Sequence, residues 1–476
     1  MLRKLLSHAA IYGLAAQLPR VAGVLALPII TPYLTTTDYG VAGVVTAYVT
    51  ALSIVQSLGL SVVMVNAYVK HPTKYKWVWR QVHGFFILWS VVYNAALSLM
   101  LYFGIPEEAT VYRWEIILLQ VVPAFLFNHT VFFGVFSYQM QQRPLPVAAQ
   151  SLLVGALTLG LNIYFIAYLH LGYMGWFYSG FVGALASFLM FLYPVYWLEQ
   201  LWPIFKFRTY RIKSSLLVSV PTIPYQFSTF LLDASDKLVM DVLRVPLQRI
   251  GFYNIASSFG LYFSAASHAV VQAATPIYMD LLAKPNSGSA QAELRRATFS
   301  LQGLFLLVTS LVSLWMKEIF LFLIKNESLQ GAYSLAIIIL MGYNYRPMHL
   351  AVISVLTYYE KTKELWKISI IAGAGNVLLN LIFVPLLGIE AAAYTTFVAL
   401  MYMGYSGFFL KEYRSSQTLQ YYPMVWLCLT TLALIGMYFA VDLSLYLKLI
   451  LTAIVVVGGA VSMLIFGKVA LRGATR

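Results

Sequence analysis

Charge is scarce in this chain. Acidic and basic residues make up 10% of its 476 positions, against 61% apolar residues. A soluble domain carries roughly 25% charge, so a water-soluble globule is excluded. Cysteine is almost absent: Cys428 stands alone, which rules out an internal disulfide and a multi-cysteine metal site. It lies in an apolar segment and is expected to pack there. No G-x-x-x-x-G-K-[ST] stretch occurs, so ATP hydrolysis by a P-loop is excluded. Paired carboxylates, a His/Cys cluster and a nucleophile beside an evident base are all missing. No enzyme activity, metal or cofactor is expected. Met1-Leu2-Arg3-Lys4 runs straight into a span too long for a signal h-region, so no cleavable signal peptide is expected.

Long uncharged stretches recur from end to end, each near the roughly 20 residues that cross a bilayer. The expected fold is an all-α integral membrane protein of about 14 transmembrane helices. The spans are placed at 9–34, 41–68, 79–103, 114–136, 145–169, 173–197, 215–242, 252–277, 297–315, 332–356, 365–386, 389–410, 423–441 and 443–466. The net charge of +14 invites a nucleic-acid reading, but its distribution points elsewhere. Of 31 Lys and Arg, 22 fall in the even-numbered turns, at the span ends that adjoin them or in the two termini, leaving 9 in the odd turns or elsewhere inside spans. Positive residues are retained on the cytoplasmic side. Both termini are therefore expected there, with membrane lipids as neighbours and no nucleic-acid partner.

One pattern occurs twice. Asp38-Tyr39-Gly40 follows one apolar segment and opens another, and Arg249-Ile250-Gly251-Phe252-Tyr253 does the same 211 residues on by its glycine (251 − 40). Asn162-Ile163-Tyr164-Phe165 leads to Gly172 and Tyr178, as Asn380-Leu381-Ile382-Phe383 leads to Gly388 and Tyr394, offset by 216 to 218. Duplicated halves in a membrane protein point to a transporter with its site between them. The predicted domains are a first six-helix bundle (1–198), a basic linker (199–213), a second bundle (214–410) and two trailing helices with a tail (411–476). Loops are short. The longest, residues 278–296, holds Glu293-Leu294-Arg295-Arg296, which suits a short surface helix.

Ionisable residues inside spans are functional candidates by default. Gln17, Pro19 and Arg20 lie about halfway along the first span, where Pro19 frees a carbonyl. Arg20 reads as an anion ligand, against a structural ion pair. Asp233-Ala234-Ser235-Asp236-Lys237 lies in the outer part of the seventh span, after Pro221 and Pro224. Asp233 and Lys237 are spaced i,i+4, so a local pair is available. Against that reading, Asp236 and Lys237 shuttle charge or contact substrate. Arg346 sits mid-span in Tyr343-Asn344-Tyr345-Arg346-Pro347-Met348-His349. Arginine forks match phosphate geometry and tyrosine rings stack on sugars, so the group suits a glycan joined to a phosphate. The competing reading is helix packing with Arg346 paired to an acid. His349 reads as a packed histidine, and Tyr39, Tyr102 and Tyr173 as an interfacial belt.

The first 70 residues resemble the polysaccharide transporter family, the Wzx-type O-antigen flippases of the multidrug/oligosaccharidyl-lipid/polysaccharide exporter superfamily. The resemblance rests on Leu18-Pro19-Arg20, Leu27-Pro28-Ile29-Ile30, Tyr33-Leu34-Thr35, Asp38-Tyr39-Gly40 and Gln56-Ser57-Leu58-Gly59-Leu60. Asp236-Lys237-Leu238-Val239, Ile250-Gly251-Phe252-Tyr253-Asn254-Ile255-Ala256 and the region from Asn380 to Pro385-Leu386-Leu387-Gly388 extend it. It implies two six-helix bundles in a V around a central cavity, with two trailing helices, in the bacterial inner membrane. It implies a flippase for polyprenyl-pyrophosphate-linked oligosaccharides, the repeat units of O-antigen lipopolysaccharide or another surface polysaccharide, working beside polymerase machinery. Arg20 would meet the pyrophosphate, and Asp236-Lys237 would be the charged pair of the seventh helix. Arg346 matches no family position, so its role rests on residue chemistry alone.

The substrate-binding residues expected are therefore Arg20, Arg346, Lys237, Tyr343, Tyr345 and Gln17. Coupling to H+ or Na+ would fall to Asp236 or Asp233, with His349 as a further titrating group. The competing functions are a multidrug or cation antiporter of the same superfamily and a lipid II flippase. A membrane glycan polymerase would need a large outer loop.

Overall fold

The computed structural model describes residues 23–206, 209–220, 223–284, 288–361, 365–416 and 420–458. Among the described residues the chain is helical, with no strand. Among the described residues, fourteen helical segments follow the order expected from the apolar runs. They are α1 (Gly23–Tyr33), α2 (Thr36–Lys70), α3 (Tyr75–Gly104), α4 (Glu107–Met140), α5 (Pro144–Tyr168) and α6 (Met174–Leu198). Next come α7 (Ile223–Asp233 and Ser235–Val242), α8 (Leu247–Ala283), α9 (Gly288–Leu314) and α10 (Tyr333–Gly342, Tyr343–Tyr345 and Arg346–Tyr358). The last are α11 (Leu365–Leu387), α12 (Glu390–Tyr405), α13 (Pro423–Ala440) and α14 (Leu445–Gly458). Among the described residues, eight helices are long and apolar enough to cross a membrane by length and composition alone. The protein is a multi-pass membrane protein.

Contacts divide the chain into two compact units. The first takes residues up to Phe230 together with Met240–Gly251, and the second takes Leu231–Val239 and residues from Phe252 onward.

The duplicated landmarks have matching conformations. Gly172 and Gly388, in the turns after α5 and α11, both hold positive φ, +54° and +80°, a region that favours glycine. Asn162 of α5 accepts a hydrogen bond from Ser179 of α6. Asn380 of α11 accepts one from Thr395 of α12 at 2.5 Å. Asp38 closes a capping box with Thr35 at the start of α2, satisfying free backbone N–H groups there. Its other oxygen accepts the Tyr173 N–H at 2.9 Å.

Three local expectations are corrected. Residues 278–296 form no long loop, because α8 continues to Ala283 and α9 begins at Gly288. Helical hydrogen bonding continues there past the apolar residues, since helix ends in water need only polar side chains. Tyr39 is not interfacial: it is 4% exposed and packs edge-on against Trp176 at 5.0 Å. Cys428 is exposed on α13 rather than packed.

Candidate functional site

Two of the expected charged segments lie where helices break. α7 is interrupted at Ala234. The hydroxyl of Ser235 and the amide of Asn376 both donate to the carbonyl of Leu231, at 2.5 and 3.2 Å. That satisfies a backbone acceptor the break would otherwise leave bare. α10 narrows to a 3-10 turn at Tyr343–Tyr345, ahead of Pro347. The Asn344 carbonyl accepts from Gln302 at 3.0 Å, and the Asn344 amide donates to Thr309 at 2.8 Å. Discontinuous helices of this kind line binding sites in transporters.

The first cluster surrounds Asp236, which is 4% exposed. One carboxylate oxygen accepts from the Asn376 and Asn380 amides at 2.8 and 2.7 Å. The other accepts from the Tyr253 and Thr396 hydroxyls at 2.5 and 2.9 Å. A buried carboxylate is costly unless it is fully hydrogen-bonded. Here four neutral donors from α8, α11 and α12 converge on one acid from α7. Lys237 is buried beside it and lies within its field.

The second cluster surrounds Arg346, 6% exposed. Its guanidinium lies 5.5 Å from the ring centres of both Tyr343 and Tyr345, a cation–π arrangement. Nη2 donates to Ser264 at 2.6 Å, and Nε has no partner. Asp233 interacts with the Tyr343 hydroxyl and lies in the field of Arg346. Unlike its buried neighbours, Asp233 is exposed. Its interaction partners are Arg346, Tyr343 and Asp236, while Lys237 interacts with Asp236. His349 packs its ring 5.7 Å from Tyr345.

The structure thus brings Asp233, Tyr343, Tyr345 and Arg346 together, and sets Asp236 beside Lys237, all within the second unit. Gln17, Pro19 and Arg20 lie outside the described residues. Ser264, Asn376 and Thr396 were not singled out from the sequence, and Tyr253 stood there only within a landmark. Asn380 was noted only as a repeat landmark. A signal for two of them existed: Asn376 and Asn380 lie i,i+4 in an otherwise apolar run, on one helix face. Among the described residues no group of three or more His, Cys, Asp or Glu could hold a metal ion.

Charged and aromatic side chains thus gather at two helix breaks in an all-helical membrane chain. The chain belongs to the family described as "Polysaccharide biosynthesis protein", whose sequence profile matches residues 5–282. The family expected from the sequence landmarks is borne out. No protein of curated function matches the chain. Among solved structures, the fold is similar to the lipid II flippase MurJ in an inward closed conformation. That match has 14% identity and a TM-score of 0.71, covering 98% of this chain and 99% of MurJ. It is also similar to a multidrug resistance MATE family transporter of the MOP superfamily, with 16% identity and a TM-score of 0.57 over 89% of this chain and 96% of that one. A mutant of the Vibrio cholerae MATE transporter VcmN gives 15% identity and a TM-score of 0.55, covering 86% and 97%.

Proposed function

We propose that this protein is a flippase that carries a polyprenyl-pyrophosphate-linked oligosaccharide across the bacterial cytoplasmic membrane. The observation behind this reading is Arg346. A permanent cation is held against two tyrosine rings at a 3-10 turn, with Nε uncommitted. A guanidinium with spare donors suits a phosphate, and flanking tyrosines suit the adjoining sugar. Gln17 and Arg20 would supply further contacts from the first span, and Lys237 a second cation. The lipid tail would stay in the bilayer while the head crosses by alternating access. Both termini face the cytoplasm in this reading, and an ion gradient drives the cycle.

The test is made on lipids from host cells depleted of this protein. A polyprenyl-pyrophosphate glycan should build up on the cytoplasmic leaflet. Wild type should reverse the build-up, while Arg346→Ala and Arg20→Ala, inserted at normal levels, should not. Accumulation of lipid II instead would favour the lipid II flippase reading, which the length-wide fold likeness to MurJ supports. Altered sensitivity to cationic drugs without lipid accumulation would favour the antiporter.

A further inference from the structure

Helix α8 carries several hydroxyls, and one of them is used differently from its neighbours. Ser257, Ser258, Ser267 and Thr275 each donate to a carbonyl of their own helix three or four residues back, at 2.7 to 3.0 Å. That is the ordinary local bond of a hydroxyl in a helix. The Ser264 hydroxyl instead accepts from Nη2 of Arg346, 82 residues along the chain, at 2.6 Å. Both side chains are buried, each 6% exposed.

A guanidinium only donates and a carboxylate only accepts, whereas a hydroxyl does both. Those rules order the groups around Ser264. Arg346 donates to Ser264, Ser264 meets the Tyr343 hydroxyl, and Tyr343 meets the Asp233 carboxylate. Each hydroxyl therefore accepts from one neighbour and donates to the next, from the cation to the anion. Bonds that run in one direction polarise one another.

The face of α8 that carries Ser264 is shaped for α10. One turn earlier on that face stands Gly260, where an added Cβ would come within 3.2 Å of the Tyr343 ring and 2.5 Å of the Ile339 side chain. The Phe263 ring lies 6.5 Å from the Tyr343 ring, centre to centre. On the other side of Ser264, the Ser267 hydroxyl donates to the Ser264 carbonyl at 2.7 Å. These contacts seat Tyr343 and the Ser264 hydroxyl against each other before any cargo arrives.

An arginine side chain has many rotamers, and ordering it at the moment of binding weakens affinity. Here the ordering comes first. Nη2 is tied to Ser264, and the guanidinium lies 5.5 Å from the Tyr343 and Tyr345 ring centres. The group is planar and rigid, so fixing Nη2 also fixes Nε, a donor without a partner.

We infer that Ser264 is a positioning residue for cargo binding, whose hydroxyl holds the Arg346 guanidinium in one orientation and leaves Nε for a phosphate oxygen. The inference rests on the proposed reading of Arg346 as the phosphate-binding group, and adds the residue that aims it. Ser264 acts through Arg346, not on the cargo. Alanine removes its hydroxyl and threonine keeps it, so the two variants separate the bond from the space it fills.

The test uses the full chain in lipid vesicles. Arginine labelled with 15N is observed by solid-state NMR, and the Arg346 signals are those that Arg346→Lys removes. In wild type the two Nη nitrogens should give separate signals, because the bond to Ser264 stops their exchange. The signals should merge in Ser264→Ala and separate again in Ser264→Thr. Transport of a fluorescent polyprenyl-pyrophosphate disaccharide is then followed against its concentration. Ser264→Ala should raise KM about two- to tenfold, the range for one side chain that must now be ordered on binding. Its maximal rate should stay as in wild type, since only uniform binding is lost, and Ser264→Thr should restore KM. Nη signals that stay separate in Ser264→Ala, or a KM that this variant leaves unchanged, would overturn the inference. A wild type that moves no polyprenyl glycan would sink the functional reading instead, while the nitrogen signals would still decide whether Ser264 aims Arg346.

Discussion

Gly251 sits directly on the backbone of Thr36: an added Cβ would come within 1.8 Å of the Thr36 oxygen. The contact is reciprocal. A Cβ on Gly40 would come within 2.4 Å of the Leu247 oxygen, and the two pairs are offset alike (251 − 40 and 247 − 36, both 211). The two copies of the repeated motif therefore meet face to face at the starts of α2 and α8. Residue i meets j while the counterpart of j meets that of i, as in an isologous interface.

Gly251→Ala must push two backbones apart, with no flexible side chain to give way. Overpacking of this sort costs about 1–3 kcal/mol. A thermal-unfolding measurement in detergent should show a clear drop for Gly251→Ala. Gly23, which has nothing within 4 Å of an added Cβ, is the control. An unchanged midpoint at Gly251 would mean that this contact is not maintained.

Arg346→Ala should abolish transport at normal expression. Arg346→Lys should leave it weakened, because a point charge replaces neither the planar fork nor its contact with the Tyr343 and Tyr345 rings. Transport assays on vesicles check both. Lysine serving as well as arginine would remove the fork from the argument.

Asp236→Ala strands four donors, and hydrogen bonds to a charged group are worth about 1.5–3 kcal/mol each. A loss of at least about 3 kcal/mol is expected from that range. A double-mutant cycle with Asn380→Ala should give a coupling of about 0.5–3 kcal/mol. Strict additivity would show that the 2.7 Å bond between them is absent in the folded protein.

The turn before α14 offers a pH-dependent contrast. The Lys317 ammonium and the Tyr333 hydroxyl, at 2.6 and 2.9 Å, hold the Asp442 carboxyl below its usual range, Lys317 being the larger cause. A depressed acid contributes stability above its unfolded pKa, and that contribution fades as pH falls through the folded value. The group is exposed, so the whole effect should stay under about 1 kcal/mol. Stability curves of wild type and Asp442→Asn should differ slightly near neutrality and merge in acid. A gap that persists in acid would contradict this assignment.

The apolar runs made the helices legible. Asp233, Asp236 and Arg346 were legible too, because a charge in such a run stands out. The partners were not. Asn376, Asn380 and Thr396 lie 140 to 160 residues from the carboxylate they serve. No local pattern carries such a pairing, since only tertiary packing brings those helices together. Tyr39 misled for a related reason. An aromatic at a helix start looks interfacial until Trp176, far along the chain, is found against it. The polar ends of α8 and α9 were missed because apolar length marks membrane thickness, and a helix is free to outlast it.

The 3-10 turn of α10 is held by the protein's own side chains. Gln302 takes the Asn344 carbonyl, and Thr309 takes the Asn344 amide. Its shape therefore does not depend on cargo. A carrier spends part of every circuit unladen, and a binding turn that collapsed when vacated would have to be rebuilt before each new load. On the proposed transport reading, this turn would travel back empty in the form in which it will next be filled.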